Sequence, residues 1–274
     1  MTATVDITVL ANLLRDAAQV EILPRFRRLG AGDIRIKSEA IDLVTEADEQ
    51  AERMIKAEVE KLWPEAVFIG EESVAADPDL LAKLEGADLA IIVDPVDGTF
   101  NFAAGVPAFG VMASVVVRGE TIAGIIFDPM GDDWVMAEKG GGAWLRRPGG
   151  EAERLSVAAP VPLEQMTGFA STGFIDKSKR AEVMGNLAKV RFAANYRCAA
   201  HEYRTFAGGH VHYLMYNKIL PWDHLAGVLI CEEAGAYAAR FDGSRYLPHH
   251  SDGGLLITPD KASWETLRRE VFTL

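Results

Sequence analysis

The stretch Asp94-Pro95-Val96-Asp97-Gly98-Thr99-Phe100-Asn101-Phe102, directly behind the apolar run Leu89 to Val93, constrains this chain more than any other. A short apolar run of that kind fits a buried strand. Two aspartates three apart at a strand end can face one crevice. Between them, Pro95 restricts the chain and Val96 offers only a backbone carbonyl. Those are three hard oxygen donors in a tight arc, the donor type a divalent cation takes. Gly98 and Thr99 then open a turn or helix whose free N–H groups suit a phosphoryl group. The plainer reading stands beside this one. Asp-Pro and Asp-Gly are turn dipeptides, and Asp97 alone could serve as a helix N-cap.

Other acids fall into a similar pattern. Gly70-Glu71-Glu72-Ser73 follows the apolar Val67-Phe68-Ile69, which places a second carboxylate at a strand end. Adjacent glutamates repel unless a cation or solvent screens them. Asp48 lies three residues after Thr45, a capping-box spacing, and is equally a candidate for a general base or water-orienting acid beside metals. Trp222-Asp223 precedes a helical stretch from His224 to Ala234, so Asp223 is either that helix's N-cap or a distant ligand.

In order and spacing, from about Asp42 to Gly235, the nine-residue motif, Gly70-Glu-Glu-Ser73 and Trp222-Asp223 with Ala226-Gly227 resemble the inositol monophosphatase family. The resemblance implies an α/β chain built as a five-layered αβαβα sandwich of the inositol monophosphatase and fructose-1,6-bisphosphatase type. It also implies Mg²⁺-dependent hydrolysis of a small phosphomonoester by attack of an activated water. Carried over by position, Glu71, Asp94 and the Val96 carbonyl would bind one Mg²⁺, and Asp94, Asp97 and Asp223 a second. A weaker third would use Glu71. Asp48 and Thr99 would orient or deprotonate the water. The N–H groups of Gly98 and Thr99 would hold the phosphate. Lys37 matches the lysine of the family's mobile loop, and Gly30 to Gly32 would let that loop move. Lithium sensitivity and a homodimer are further implications.

The match thins where the substrate's alcohol would lie. Inositol-cleaving members carry an acid seven positions before the Trp-Asp aspartate, and here that position is Tyr216. A phenol accepts hydrogen bonds from vicinal hydroxyls less well than a carboxylate. Ala199, in Cys198-Ala199-Ala200-His201, is a candidate pocket residue. His201, Glu202 and Arg204 depart from the family pattern and read more readily as helix surface than as ligand contacts. Inositol monophosphate, fructose 1,6-bisphosphate, histidinol phosphate and 3′-phosphoadenosine 5′-phosphate all stay open as substrates. So does a binding protein that keeps the fold without turnover, although Asp48, Glu71, Asp94, Asp97, Thr99 and Asp223 are all present.

Local patterning fills in the rest. Apolar spacing predicts a helix over 5–29 that Pro24 kinks or ends, and another over 45–63 closed by Pro64. Hairpins are expected over 109–127 and 134–145. A strand at 166–170, a helix at 177–189, a strand at 255–257 and a last helix from Pro259-Asp260 follow. The Pro- and Gly-rich stretch 146–162 divides an N-terminal α+β half, 1–150, from a C-terminal α/β half, 151–274, within one compact fold. His210 and His212 are spaced to share a strand face, with no third ligand in sight. Cys198 and Cys231 read as buried thiols in a cytoplasmic protein. With 28 basic and 40 acidic residues in 274, the net charge of −12 argues against nonspecific nucleic-acid or membrane-surface binding. No signal peptide, membrane span, Gly-x-x-x-x-Gly-Lys or Gly-x-Gly-x-x-Gly is evident.

Overall fold

The computed structural model describes residues 5–30, 32–37, 43–150 and 152–274. Ala31 of the expected loop, Asp42 at the start of the resemblance, and Glu151 at the expected boundary lie outside them.

Helix α1 (Ile7–Ala17) is capped by Asp6, whose carboxylate accepts from Thr8 N at 2.8 Å, and buries Leu10, Leu13, Leu14 and Ala17. It does not run to residue 29. A π-helical turn over Ala18–Ile22 leads into turns before Pro24, which has no N–H to continue the ladder. A small ribbon, β1 (Ile34–Ile36) with β2 (Leu43–Thr45), precedes α2 (Glu46–Leu62), which starts on a Thr45/Asp48 capping box.

From there the chain enters a seven-stranded sheet. Its strands are β3 (Val67–Gly70), followed by the short α3 (Glu71–Ala76), and β4 (Leu89–Asp97), followed by α4 (Thr99–Ala103). Next come β5 (Gly110–Val117), β6 (Glu120–Asp128), β7 (Asp133–Glu138), β8 (Gly142–Arg146) and β9 (Glu153–Arg154). They lie in chain order, with β3 and β4 parallel and the rest antiparallel. Both expected hairpins are present. Arg118 and Gly119, both at positive φ, make the tight two-residue turn between β5 and β6.

The second sheet has five strands. They are β10 (Thr167–Ala170), β11 (Phe192–Ala194) after α5 (Lys177–Asn186), and β12 (Tyr213–Tyr216) after α6 (Ala199–Ala207). After α7 (Pro221–Glu233) come β13 (Tyr237–Arg240) and β14 (Leu255–Thr258), and α8 (Lys261–Glu270) closes the chain. The spatial order is β11-β10-β12-β14-β13.

Apolar packing arranges these elements in five layers. One cluster joins α1 and α2 to one face of the large sheet, through residues such as Leu14, Ile55, Ile91 and Ile125. A second joins the other face to α6, α7 and the small sheet, through Ile92, Ile126, Phe206, Leu225 and Leu214. A third covers the small sheet's outer face with α5 and α8, through Val183, Tyr213, Leu256 and Leu267. The order is therefore α1/α2, large sheet, α6/α7, small sheet, α5/α8, the αβαβα sandwich expected from the sequence. The central cluster draws residues from both sides of position 150. No described helix is long and apolar enough to cross a membrane.

Candidate active site

Residues three apart in a regular strand point to opposite faces. Asp94 and Asp97 escape that rule because the ladder slips between them. Asp94 pairs with Met112 and Asp97 with Gly110, so three steps on β4 answer two on β5. The slip is a bulge, a device that re-aims side chains. Asp94 Oδ1 accepts from Val96 N at 3.0 Å, which holds the bulge. Gly98 then turns the chain at φ +85°, and a Cβ there would lie 2.8 Å from Ala108 O. Only glycine fits that turn, so α4 begins at Thr99 inside the cleft.

Asp97 does not cap α4, whose N-cap is Gly98 without a side-chain bond. Its Oδ2 instead accepts from Ala200 N at 2.6 Å and from the Cys198 thiol at 3.0 Å, so it caps α6 from another layer. Asp223 is no N-cap either. Helix α7 starts at Pro221, earlier than the sequence suggested, because proline suits a first helical position. That leaves the Asp223 side chain free for the cleft. One carboxylate oxygen from each of Asp94, Asp97 and Asp223 lies within 4.8 Å of the others. Burial pushes all three carboxyls up, and repulsion from Glu71 and from one another adds to the shift at Asp94 and Asp223. Three such acids ionise together only when positive charge joins them. An all-oxygen donor set suits a hard divalent cation such as Mg²⁺.

Asp48 belongs to the capping box and also reaches across to Thr99. It accepts from Thr45 N at 3.0 Å in the capping box, and from Thr99 Oγ1 at 3.0 Å across the site. Thr99 Oγ1 is also 2.9 Å from the Val96 carbonyl, so its single proton faces two acceptors. Burial lifts the Asp48 carboxyl to about 7.

Glu71 lines the same cleft from the start of α3. The screening that the adjacent glutamates require comes from Lys37, whose Nζ lies 2.8 Å from Glu71 Oε1 and also pairs with Glu72. Lys37 itself is absent from the described lining of the cleft. The Gly70–Ser73 segment is held by Glu52, which accepts from Glu72 N and Ser73 N at 2.7 Å each. A Cβ on Gly70 would fall 2.3 Å from that carboxyl. The sequence reading missed Glu52. Its signal was an acid one helical turn after Asp48, on the face carrying Ala51 and Ile55.

The opposite wall comes from separate segments, with Ser171 to Phe174, Asn195, Arg197 to Ala199, Glu202, Tyr216 and Lys218 closing a cleft of about 550 Å³. Ala199 and Tyr216 are where the sequence reading placed them. Asn101 Nδ2 ties the two walls together, donating to Ala108 O at 2.9 Å and Tyr196 O at 2.7 Å. The expectation for α6 needs correcting at all three departures. Arg204 is pinned to Asp133, and His201 Nε2 lies 3.2 Å from Phe109 O. Glu202 is buried and lines the cleft, because the face of α6 that carries it turns toward β12. His210 and His212 share no strand face. They precede β12, and His212 Nδ1 accepts from Thr167 N at 3.2 Å. Cys198 and Cys231 are buried free thiols, as expected.

Residues 5–271 match the inositol monophosphatase family. The chain is 32% identical over 211 residues to a Thermotoga maritima protein named fructose-1,6-bisphosphatase/inositol-1-monophosphatase, covering 74% of this chain and 73% of that one. It is equally 32% identical, over 213 residues, to the Nus factor SuhB of Vibrio cholerae, covering 74% and 73%. Among solved structures, the Thermotoga maritima IMPase superposes with a TM-score of 0.82 at 25% identity, covering 97% of this chain and 98% of the other. The chain belongs to the inositol monophosphatase family.

Proposed function

We propose that this protein is a Mg²⁺-dependent phosphatase acting on a small phosphomonoester. The observation that carries the reading is the convergence of Asp94, Asp97 and Asp223, from two separate elements, within 4.8 Å. Asp94, Asp97 and Asp223 hold one cation, and Glu71, Asp94 and the Val96 carbonyl a second, with Glu71 available to a third. When bound, Mg²⁺ supplies charge neutralisation, polarisation of the phosphoryl oxygens and a more acidic water.

The chain's own groups do the rest. Thr99 Oγ1 donates to Asp48 and so turns a lone pair toward the cleft, where an attacking water can donate to it. Asp48, buried behind Thr99, takes the proton through that hydroxyl. Its carboxyl, held near 7, is matched to that task. The N–H groups of Gly98 and Thr99 hold the phosphoryl oxygens. Phosphoryl transfer needs positioning and charge stabilisation more than covalent help. Lithium inhibition and a homodimer belong to the same proposal, on the strength of family membership.

The test is phosphate release from inositol phosphates, fructose 1,6-bisphosphate, histidinol phosphate and 3′-phosphoadenosine 5′-phosphate, with Mg²⁺ and with EDTA. Release that needs Mg²⁺ is the expected result. Absence of release from the whole panel by folded, Mg²⁺-loaded protein would count against the phosphatase reading.

A further inference from the structure

Two cations line the cleft and take no part in the reaction described above, Arg197 ahead of α6 and Lys218 after β12. Among the described residues neither head group pairs with a carboxylate. The Arg197 guanidinium lies 3.4 Å from the centre of the Phe100 ring, and Lys218 Nζ lies 5.7 Å from that of Phe174. The Arg197 backbone sits at φ +54°, in the left-handed region that favours glycine. The other described non-glycine residues at positive φ, Arg27, Arg118 and Asp132, are outside the cleft lining. Asn195 Oδ1 accepts from Arg197 N at 2.6 Å, and Arg197 O accepts from Asn101 Nδ2 at 3.5 Å, so the conformation is held in place. A side chain kept at a strained position beside a cleft points to a use for that side chain. The Lys218 segment is fixed as well. Lys218 O accepts from His224 Nε2 at 3.0 Å, and Asn217 Nδ2 donates to Phe174 O at 2.7 Å.

Building on the phosphatase reading, we infer that Arg197 binds a carboxylate on the alcohol half of the substrate, with Lys218 adding its charge, so that this chain selects phosphorylated hydroxy acids. At 3.4 Å the planar guanidinium must lie flat on the Phe100 ring, which leaves its edge and N–H groups open. That edge matches the two oxygens of a carboxylate, and the ring holds it in orientation. Lys218, a flexible point charge, adds attraction without demanding one geometry. Phe100 directly follows Thr99, whose N–H faces the phosphoryl group in the proposed mechanism, so both anions belong to one short molecule. At such short range a second phosphoryl group, doubly charged, would repel the first more than a carboxylate does. Repulsion from Asp94, Asp97 and Asp223 is offset by the cations that they hold on the phosphatase reading.

The experiment compares kcat/KM with Mg²⁺ for 3-phosphoglycerate, glycerol 1-phosphate and glycerol 1,3-bisphosphate. The first two differ only in a carboxylate against a hydroxymethyl group. The proteins are the unaltered chain, Arg197→Gly and Lys218→Met. Glycine accepts φ +54° without strain and methionine keeps an apolar stem, so both variants preserve the fold. The unaltered protein is expected to prefer 3-phosphoglycerate to glycerol 1-phosphate. That preference should shrink as salt is raised, because both cations are exposed. Arg197→Gly should lower the ratio by about tenfold, and Lys218→Met by about threefold. An unchanged ratio in both variants would overturn the inference. So would an equal fall on both substrates, which places Arg197 on the transferred phosphoryl group instead. A preference for the bisphosphate beyond that due to its two equivalent ends, or release from the earlier panel alone, would overturn it too. If the unaltered protein releases phosphate from none of these compounds, the phosphatase reading has failed separately. Calorimetry with Mg²⁺ and either 3-phosphoglycerate or glycerol 1-phosphate then decides. Tighter binding of the carboxylate by about tenfold, lost in Arg197→Gly, supports carboxylate recognition. Equal or absent binding overturns it.

Discussion

The two walls of the cleft are made in different ways. The acid-bearing wall takes Asp94, Val96, Asp97, Gly98 and Thr99 from one unbroken strand–turn–helix segment, and adds Glu71 and Asp223. The facing wall gathers Ser171 to Phe174, Asn195, Arg197 to Ala199, Glu202, Tyr216 and Lys218 from at least three places in the C-terminal half. The first wall concentrates buried acids within reach of one another, so each constrains the next. The second gathers side chains from separate segments, so one can change without displacing the acids opposite. Within one architecture, the two walls are therefore separable, and on the proposed function so are reaction type and substrate choice.

The sharpest way to break that separation is Asp94→Asn. It should lower Mg²⁺-dependent phosphate release by about 10³-fold. Unfolding of the metal-free protein should be unimpaired, because one of three mutually repelling buried acids has been removed. Near-normal turnover would sink the assignment of the first wall.

On the second wall, burial raises the Glu202 carboxyl from its ordinary 4.5 to about 7. The fold therefore favours the protonated acid. That contribution is complete below pH 4.5 and is lost as pH rises through 7. Glu202→Gln cannot ionise, so in metal-free protein at pH 8 it should be more stable by about 3 kcal/mol. The gap should close near pH 4.5. Denaturant unfolding at the two pH values measures it, and a gap independent of pH would contradict the cause given.

Asn101→Ala tests the tie between the walls. It strips the amide from two carbonyls and should cost about 2 kcal/mol in denaturant unfolding. It should raise KM while leaving Mg²⁺ affinity nearly unchanged. A matching loss of Mg²⁺ affinity would mean that the walls are one mechanical unit.

The smallest effect is expected at Lys37→Met. The Lys37 ammonium now neutralises Glu71 and competes with a cation for it. Its removal should tighten Mg²⁺ about two- to fivefold by calorimetry at fixed ionic strength. Weaker binding would show instead that Lys37 serves to hold Glu71 in place.

The difference between the walls also explains what could be read in advance. Elements written in contiguous residues were legible. Examples are α2 with its Thr45/Asp48 box, the β5–β6 hairpin and the strand-end acids. Helix α1 was overextended because residues 18–29 keep an apolar rhythm that the turn before Pro24 interrupts. Asp97 offered a local explanation, a cap for the helix beside it. Its bonds run instead to Cys198 and Ala200, a hundred residues away. Glu202 carries a surface residue's composition, and only the docking of α6 between the two sheets reveals its burial.

What the sequence determined by itself was therefore local: where strands end in acids, where helices are capped, and which short segment carries hard oxygen donors. Backbone sterics, capping and the periodicity of apolar residues act over a few positions and leave their mark there. The tertiary structure alone decided which carboxylates converge, which acids Lys37 neutralises, and that Glu202 stands beside Tyr216. Those outcomes depend on how two sheets and the helices between them pack. Burial and charge reach across space between residues that are far apart in the chain.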